Sequence, residues 1–87
     1  MKVKDNLMVR VIAGSNVVLP LGALSLDFTG MLTLNETGVF LWSLLRADTT
    51  REELAKALTE EYDVTYDEAL ADVDAFIEKL DKAGYLE

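Results

Sequence analysis

The chain contains no cysteine and no histidine among its 87 residues, only one proline, and eight basic side chains against sixteen acidic ones. Each shortage excludes something. Without cysteine there is no disulfide framework, no thiolate nucleophile and no zinc ribbon. Without histidine the commonest general base and the commonest metal ligand are both missing. Serine–histidine and cysteine–histidine catalysis are therefore closed to this chain. The three serines, Ser15, Ser25 and Ser43, lie in no Gly-x-Ser-x-Gly elbow. No Gly-x-Gly-x-x-Gly and no phosphate-cradling Gly-Lys-Ser/Thr loop is present. Acidic pairs such as Glu60-Glu61-x-Asp63 and Asp72-x-Asp74 occur. The stretch Asp63–Asp67 lacks the central glycine of a calcium loop, so these carboxylates read as solvated surface. The expectation is a protein that is not an enzyme and holds no cofactor or metal. No apolar run approaches the roughly 20 residues that span a bilayer. The N-terminal lysines precede no signal-peptide core, so the expected location is the cytoplasm.

A chain of this length reads as one domain over residues 1–87, burying about 60–70% of its unfolded surface. Hydrophobic residues make up 51% and charged residues 28%, which suits a soluble core-forming domain. The net charge of −8 is unevenly placed. Residues 1–47 carry +1 and residues 48–87 carry −9. The acidic half would repel a phosphate backbone, because nucleic-acid affinity comes largely from Lys and Arg.

Four glycines, Gly14, Gly22, Gly30 and Gly38, are eight residues apart. Short Val/Leu/Ile-rich segments between turn signals predict an antiparallel meander over about 7–34. Leu7–Ile12 reads as the first strand, Gly14–Asn16 as the turn and Val17–Leu19 as the second strand, with Pro20 at its end. Leu24, Leu26 and Phe28 alternate onto one face, Thr29-Gly30 reads as a turn, and Met31–Leu34 reads as the last strand.

The period then changes. Asn35 or Thr33 is placed to cap a helix over about 35–46, whose run Val39–Leu45 is apolar nearly all round. Thr50-x-x-Glu53 opens a helix over about 51–62, with Leu54, Leu58 and Tyr62 on one face. Thr65-x-x-Glu68 opens another over about 66–83. There Tyr66, Leu70, Val73, Phe76, Ile77 and Leu80 form a wide stripe, and Gly84 stands at the C-terminal cap. The expected fold is α+β: a small antiparallel N-terminal sheet of three to four strands followed by three helices. This is a winged helix-turn-helix-like order. Two binding modes suit such a domain: a recognition helix on DNA, or an extended peptide added to a sheet edge. Both candidate recognition helices are net acidic, which favours the second.

The stretch Gly30-Met31-Leu32-Thr33-Leu34-Asn35-Glu36-Thr37-Gly38, followed by Phe40-Leu41-Trp42-Ser43-Leu44-Leu45, resembles the PqqD-like family. Thr49-Thr50, Glu61-Tyr62-Asp63-Val64 and Phe76-x-x-x-Leu80-x-x-x-Gly84-Tyr85-Leu86 are similar to the family's later order. The likeness runs from about residue 7 to 86. It implies a RiPP recognition element. Such a peptide chaperone binds the leader of a ribosomally made precursor peptide and presents it to a modifying enzyme, often a radical S-adenosylmethionine enzyme. It also implies that the leader pairs beside the strand preceding the first helix, against the third helix. By position, Met31, Leu32, Thr33 and Leu34 would pair with the peptide main chain. Leu70, Val73, Asp74 and Ile77 would line the groove, their division between groove and core left open. The segment Ala23–Phe28 departs from the shortest family members and leaves open which strand is the true edge. A winged-helix DNA-binding or regulatory role, or a structural enzyme-docking role, are the alternatives. An exposed edge also leaves room for a homodimer.

Overall fold

The computed structural model describes residues 1–20 and 32–87. The expected strand over Leu24–Phe28, the Thr29-Gly30 turn and Met31 lie outside the described residues. Strand β1 (Leu7–Ile12) pairs antiparallel with β2 (Ser15–Pro20), from Leu7 opposite Pro20 to Ile12 opposite Ser15. The turn is shorter than Gly14–Asn16. It consists of Ala13 and Gly14, both with positive φ (52° and 81°). Two consecutive left-handed residues twist a hairpin in the sense its strands prefer, which frees Ser15 and Asn16 to join β2. Strand β3 (Leu32–Leu34) pairs antiparallel with β2, Asn16 opposite Leu34 and Val18 opposite Leu32, giving the order β1-β2-β3.

Three helices follow: α1 (Glu36–Leu44), α2 (Arg51–Glu61) and α3 (Tyr66–Ala83). The α+β order of sheet then three helices is the one read from the sequence. Each helix starts where a short polar side chain satisfies an orphan amide. Asn35 Oδ1 accepts from Gly38 N at 2.8 Å, so Asn35 is the α1 cap and Thr33 stays in β3. Thr50 and Thr65 accept from Glu53 N and Glu68 N, each at 3.1 Å. Gly84 closes α3 at φ 76°, a left-handed position that a side chain would strain. Thr50→Ala is expected to cost about 1 kcal/mol. A thermal melt should show this as a fall of about 4–8 °C in a domain this size.

The core lies between the sheet and the helices. Leu7, Val18 and Leu34 come from the strands, Leu41, Trp42 and Leu45 from α1, Leu54, Ala55 and Leu58 from α2, and Ala69, Val73 and Leu80 from α3. The backbone near Met1 and the C-terminal tail close the far side. Val3 N donates to Leu45 O, Lys4 N to Tyr85 O and Glu87 N to Lys2 O, each at 2.9 Å. Tyr85 meets Trp42 edge to face, with ring centroids 6.4 Å apart. No helix among the described residues is long and apolar enough to cross a membrane.

Candidate functional site

Where β3 runs into α1, the chain turns beneath α3 and leaves an open groove of about 480 Å³. Its strand side is Leu32, Thr33 and Leu34, and its near end is Asn35, Thr37, Gly38 and Leu41. Its far wall is one stripe of α3: Asp72, Ala75, Phe76 and Lys79. These α3 positions follow the i, i+3, i+4, i+7 spacing that puts side chains on one helix face. Leu41 and Leu34 are buried beneath it, Phe76 is half-buried, and Asp72, Ala75 and Lys79 stand at the exposed rim.

Gly38 allows this geometry. A Cβ there would lie 3.3 Å from the Phe76 ring, 3.3 Å from Leu34 Cβ and 3.2 Å from Asn35 Oδ1. These are distances at which neighbours must give way. The bare backbone lets α1 approach α3 closely, and the Phe76 ring rests over it. Gly38 is thus a packing glycine in a helix, although it shares its spacing with Gly14 of the hairpin turn.

Of the residues expected at such a site, Leu32, Thr33 and Leu34 line the groove and Met31 lies outside the described residues. None of Leu70, Val73, Asp74 and Ile77 is among the lining residues. Val73 is fully buried beside Ala69 and Leu80. Leu70 and Ile77 are half-buried against the same core. Asp74 is exposed on the opposite flank of α3, where it meets α2. The cause is angular. At 100° per residue, the apolar stripe at 70, 73, 77 and 80 marks the face turned to the core, and the groove begins next to it, at 72, 75, 76 and 79. Phe76 is the one member of the apolar stripe that borders both. Asp72, Ala75 and Lys79 are a mixed polar and small set that periodicity does not single out. Only their closeness to β3 identifies them.

The opposite flank of α3 is tied to α2. Arg51 Nε and Nη2 donate to the two carboxylate oxygens of Asp74, the second at 2.7 Å. This fork holds the Asp74 carboxyl below its ordinary value, through hydrogen bonding first and the guanidinium charge after it, and raises Arg51. A carboxyl whose folded pKa is depressed stabilises the fold above its unfolded pKa. That contribution is lost as pH falls through the folded pKa. Melting temperature should therefore fall in acid, below the ordinary carboxylate range, and Asp74→Asn should flatten that part of the curve. Because both groups are exposed, the effect is expected to be small.

Comparisons with known proteins match nearly the whole chain. The family model for coenzyme PQQ synthesis protein D (PqqD) matches residues 17–86, which include both walls. The solved structure of TbiB1 in complex with the TbiA(beta) leader peptide is similar at a TM-score of 0.74 and 28% identity, over 100% of this chain and 95% of that one. Lasso peptide synthetase B1 complexed with its leader peptide shares the fold at a TM-score of 0.71 and 21% identity, over 97% of this chain and 93% of that one. No curated protein sequence matches significantly.

Proposed function

The chain belongs to the PqqD family, and from that membership and the groove we propose that it is a RiPP recognition element. In this reading residues 1–87 act as one peptide-binding domain. The domain captures the leader of a ribosomally made precursor peptide and presents it to a modifying enzyme. The leader lies in the β3–α3 groove as an added strand. Its main chain pairs with Leu32–Leu34, and alternate side chains point into the space bounded by Leu41 and Phe76. The observation that supports this most strongly is the coincidence of a three-residue strand edge with a half-apolar groove, in a fold shared over its whole length with a leader-bound protein. β3 is the last strand of the sheet among the described residues.

The domain itself does no chemistry in this reading. The reaction belongs to the partner, which the family resemblance suggests is a radical S-adenosylmethionine enzyme, and both would work in the cytoplasm. A DNA-binding role is disfavoured by α3 itself. It carries Asp67, Glu68, Asp72, Asp74, Glu78 and Asp81 against Lys79 and Lys82, so a phosphate backbone would meet net negative charge. The test is a fluorescence-polarisation titration with leader peptides encoded beside this gene. Saturable binding near micromolar, about −8 kcal/mol, is expected. Absence of binding by every neighbouring leader would overturn the proposal.

A further inference from the structure

Five charges of α3 fall into two groups. Asp74 is forked to Arg51, and Glu78 is bridged by Lys82 at 2.9 Å, both away from the groove lining. Asp72 and Lys79 do line the groove, are exposed, and form no ion pair among the described residues. They are seven residues apart, on nearly the same helix azimuth and roughly 10 Å apart along the axis. The rim thus presents a negative and a positive group in a fixed order beside the strand edge, neither in an ion pair among the described residues.

We propose that Asp72 and Lys79 read charge on the bound peptide: a basic side chain opposite Asp72 and an acidic one opposite Lys79, in one order along the chain. This rests on the groove being the peptide site. An extended strand rises about 3.3 Å per residue, so the two peptide charges would lie about two to four residues apart once side-chain reach is included. A ladder with β3 fixes the direction of the peptide. The order of charges therefore matters as much as their presence. Exposed pairs of this kind contribute little raw affinity, but they penalise like-charge juxtaposition and steer encounter, which makes them selectors more than anchors.

The test uses a display library of random peptides of about twelve residues, roughly 40 Å when extended. It is selected on the wild-type protein and on the double variant Asp72→Lys/Lys79→Asp, with Ala75→Arg as the groove-blocked counter-target. Both charged positions are exposed, so the double variant should melt like the wild type. The wild type should enrich peptides with basic and acidic residues in one order. The double variant should enrich the reverse order, and each set should bind the other protein about ten-fold more weakly. Groove-dependent peptides with no charge order, or with the same order on both proteins, would overturn the charge reading and leave the groove reading standing. Failure to enrich any peptide that Ala75→Arg rejects would overturn both.

Discussion

Val73→Asp is expected to abolish the cooperative unfolding transition, not to trim a binding surface. Val73 is fully buried in α3, in one core with Ala69, Leu80 and the α2 residues Leu54 and Leu58. Removing the buried valine forfeits about 1.5–3 kcal/mol of transfer free energy. An aspartate in its place must either ionise without a partner in an apolar core or fold with its pKa driven up, at a further cost of several kcal/mol. A domain of this size has a total stability of roughly 4–13 kcal/mol. Circular dichroism should show a lost or sharply lowered melt, while Asp74→Ala, one residue along, shifts the midpoint by a few degrees at most. A wild-type melt for Val73→Asp would mean that α3 is rotated from the orientation described. Loss of peptide binding in this variant would report unfolding and could not locate the site.

The second large effect separates site from stability. Ala75 is exposed and lines the groove midway between Asp72 and Lys79. Ala75→Arg exchanges two good helix formers, so the helix is barely affected. The long side chain fills the space a bound peptide would occupy. Leader affinity should fall at least about thirty-fold, about 2 kcal/mol, with the melting temperature unchanged. Ala71→Arg is the control. Ala71 is exposed on the same helix but is not part of the groove lining, and it adds the same charge. Equal losses in the two variants would assign the effect to net charge and count against the groove.

Much of the fold was legible because its signals are local. Thr50 and Thr65 cap the helices they were expected to cap, and Gly84 ends α3, because each acts within one turn of chain. The hairpin was legible as an element but not in detail. Ala13 adopts a left-handed conformation that its residue type does not advertise, which shortened the turn and lengthened β2. The strand wall of the groove could be read at Leu32–Leu34, next to the Leu-Asn-Glu-Thr-Gly segment. The helix wall could not. Hydrophobic periodicity reports which face of α3 meets the core, and it selected Leu70, Val73 and Ile77 correctly for that purpose. A groove is a property of two elements some forty positions apart in sequence, and its rim is polar and small. Gly38 shows the same limit. It falls inside the helix expected over 35–46, where glycine is a poor helix former, and its reason for being glycine is the Phe76 ring that packs over it.

The central claim is one of location: a leader peptide adds a strand at β3 and lies against the Asp72–Lys79 stripe of α3. Titrating a leader encoded beside this gene into isotopically labelled protein, with amide shifts and hydrogen exchange read residue by residue, tests it most directly. The account predicts that shifts concentrate on Leu32–Leu34, Gly38 and residues 72–79, and that amides of β3 become slower to exchange. Shifts concentrated on the outer edge of β1 or on the α2 flank around Arg51 and Asp74, with β3 unmoved, would contradict it.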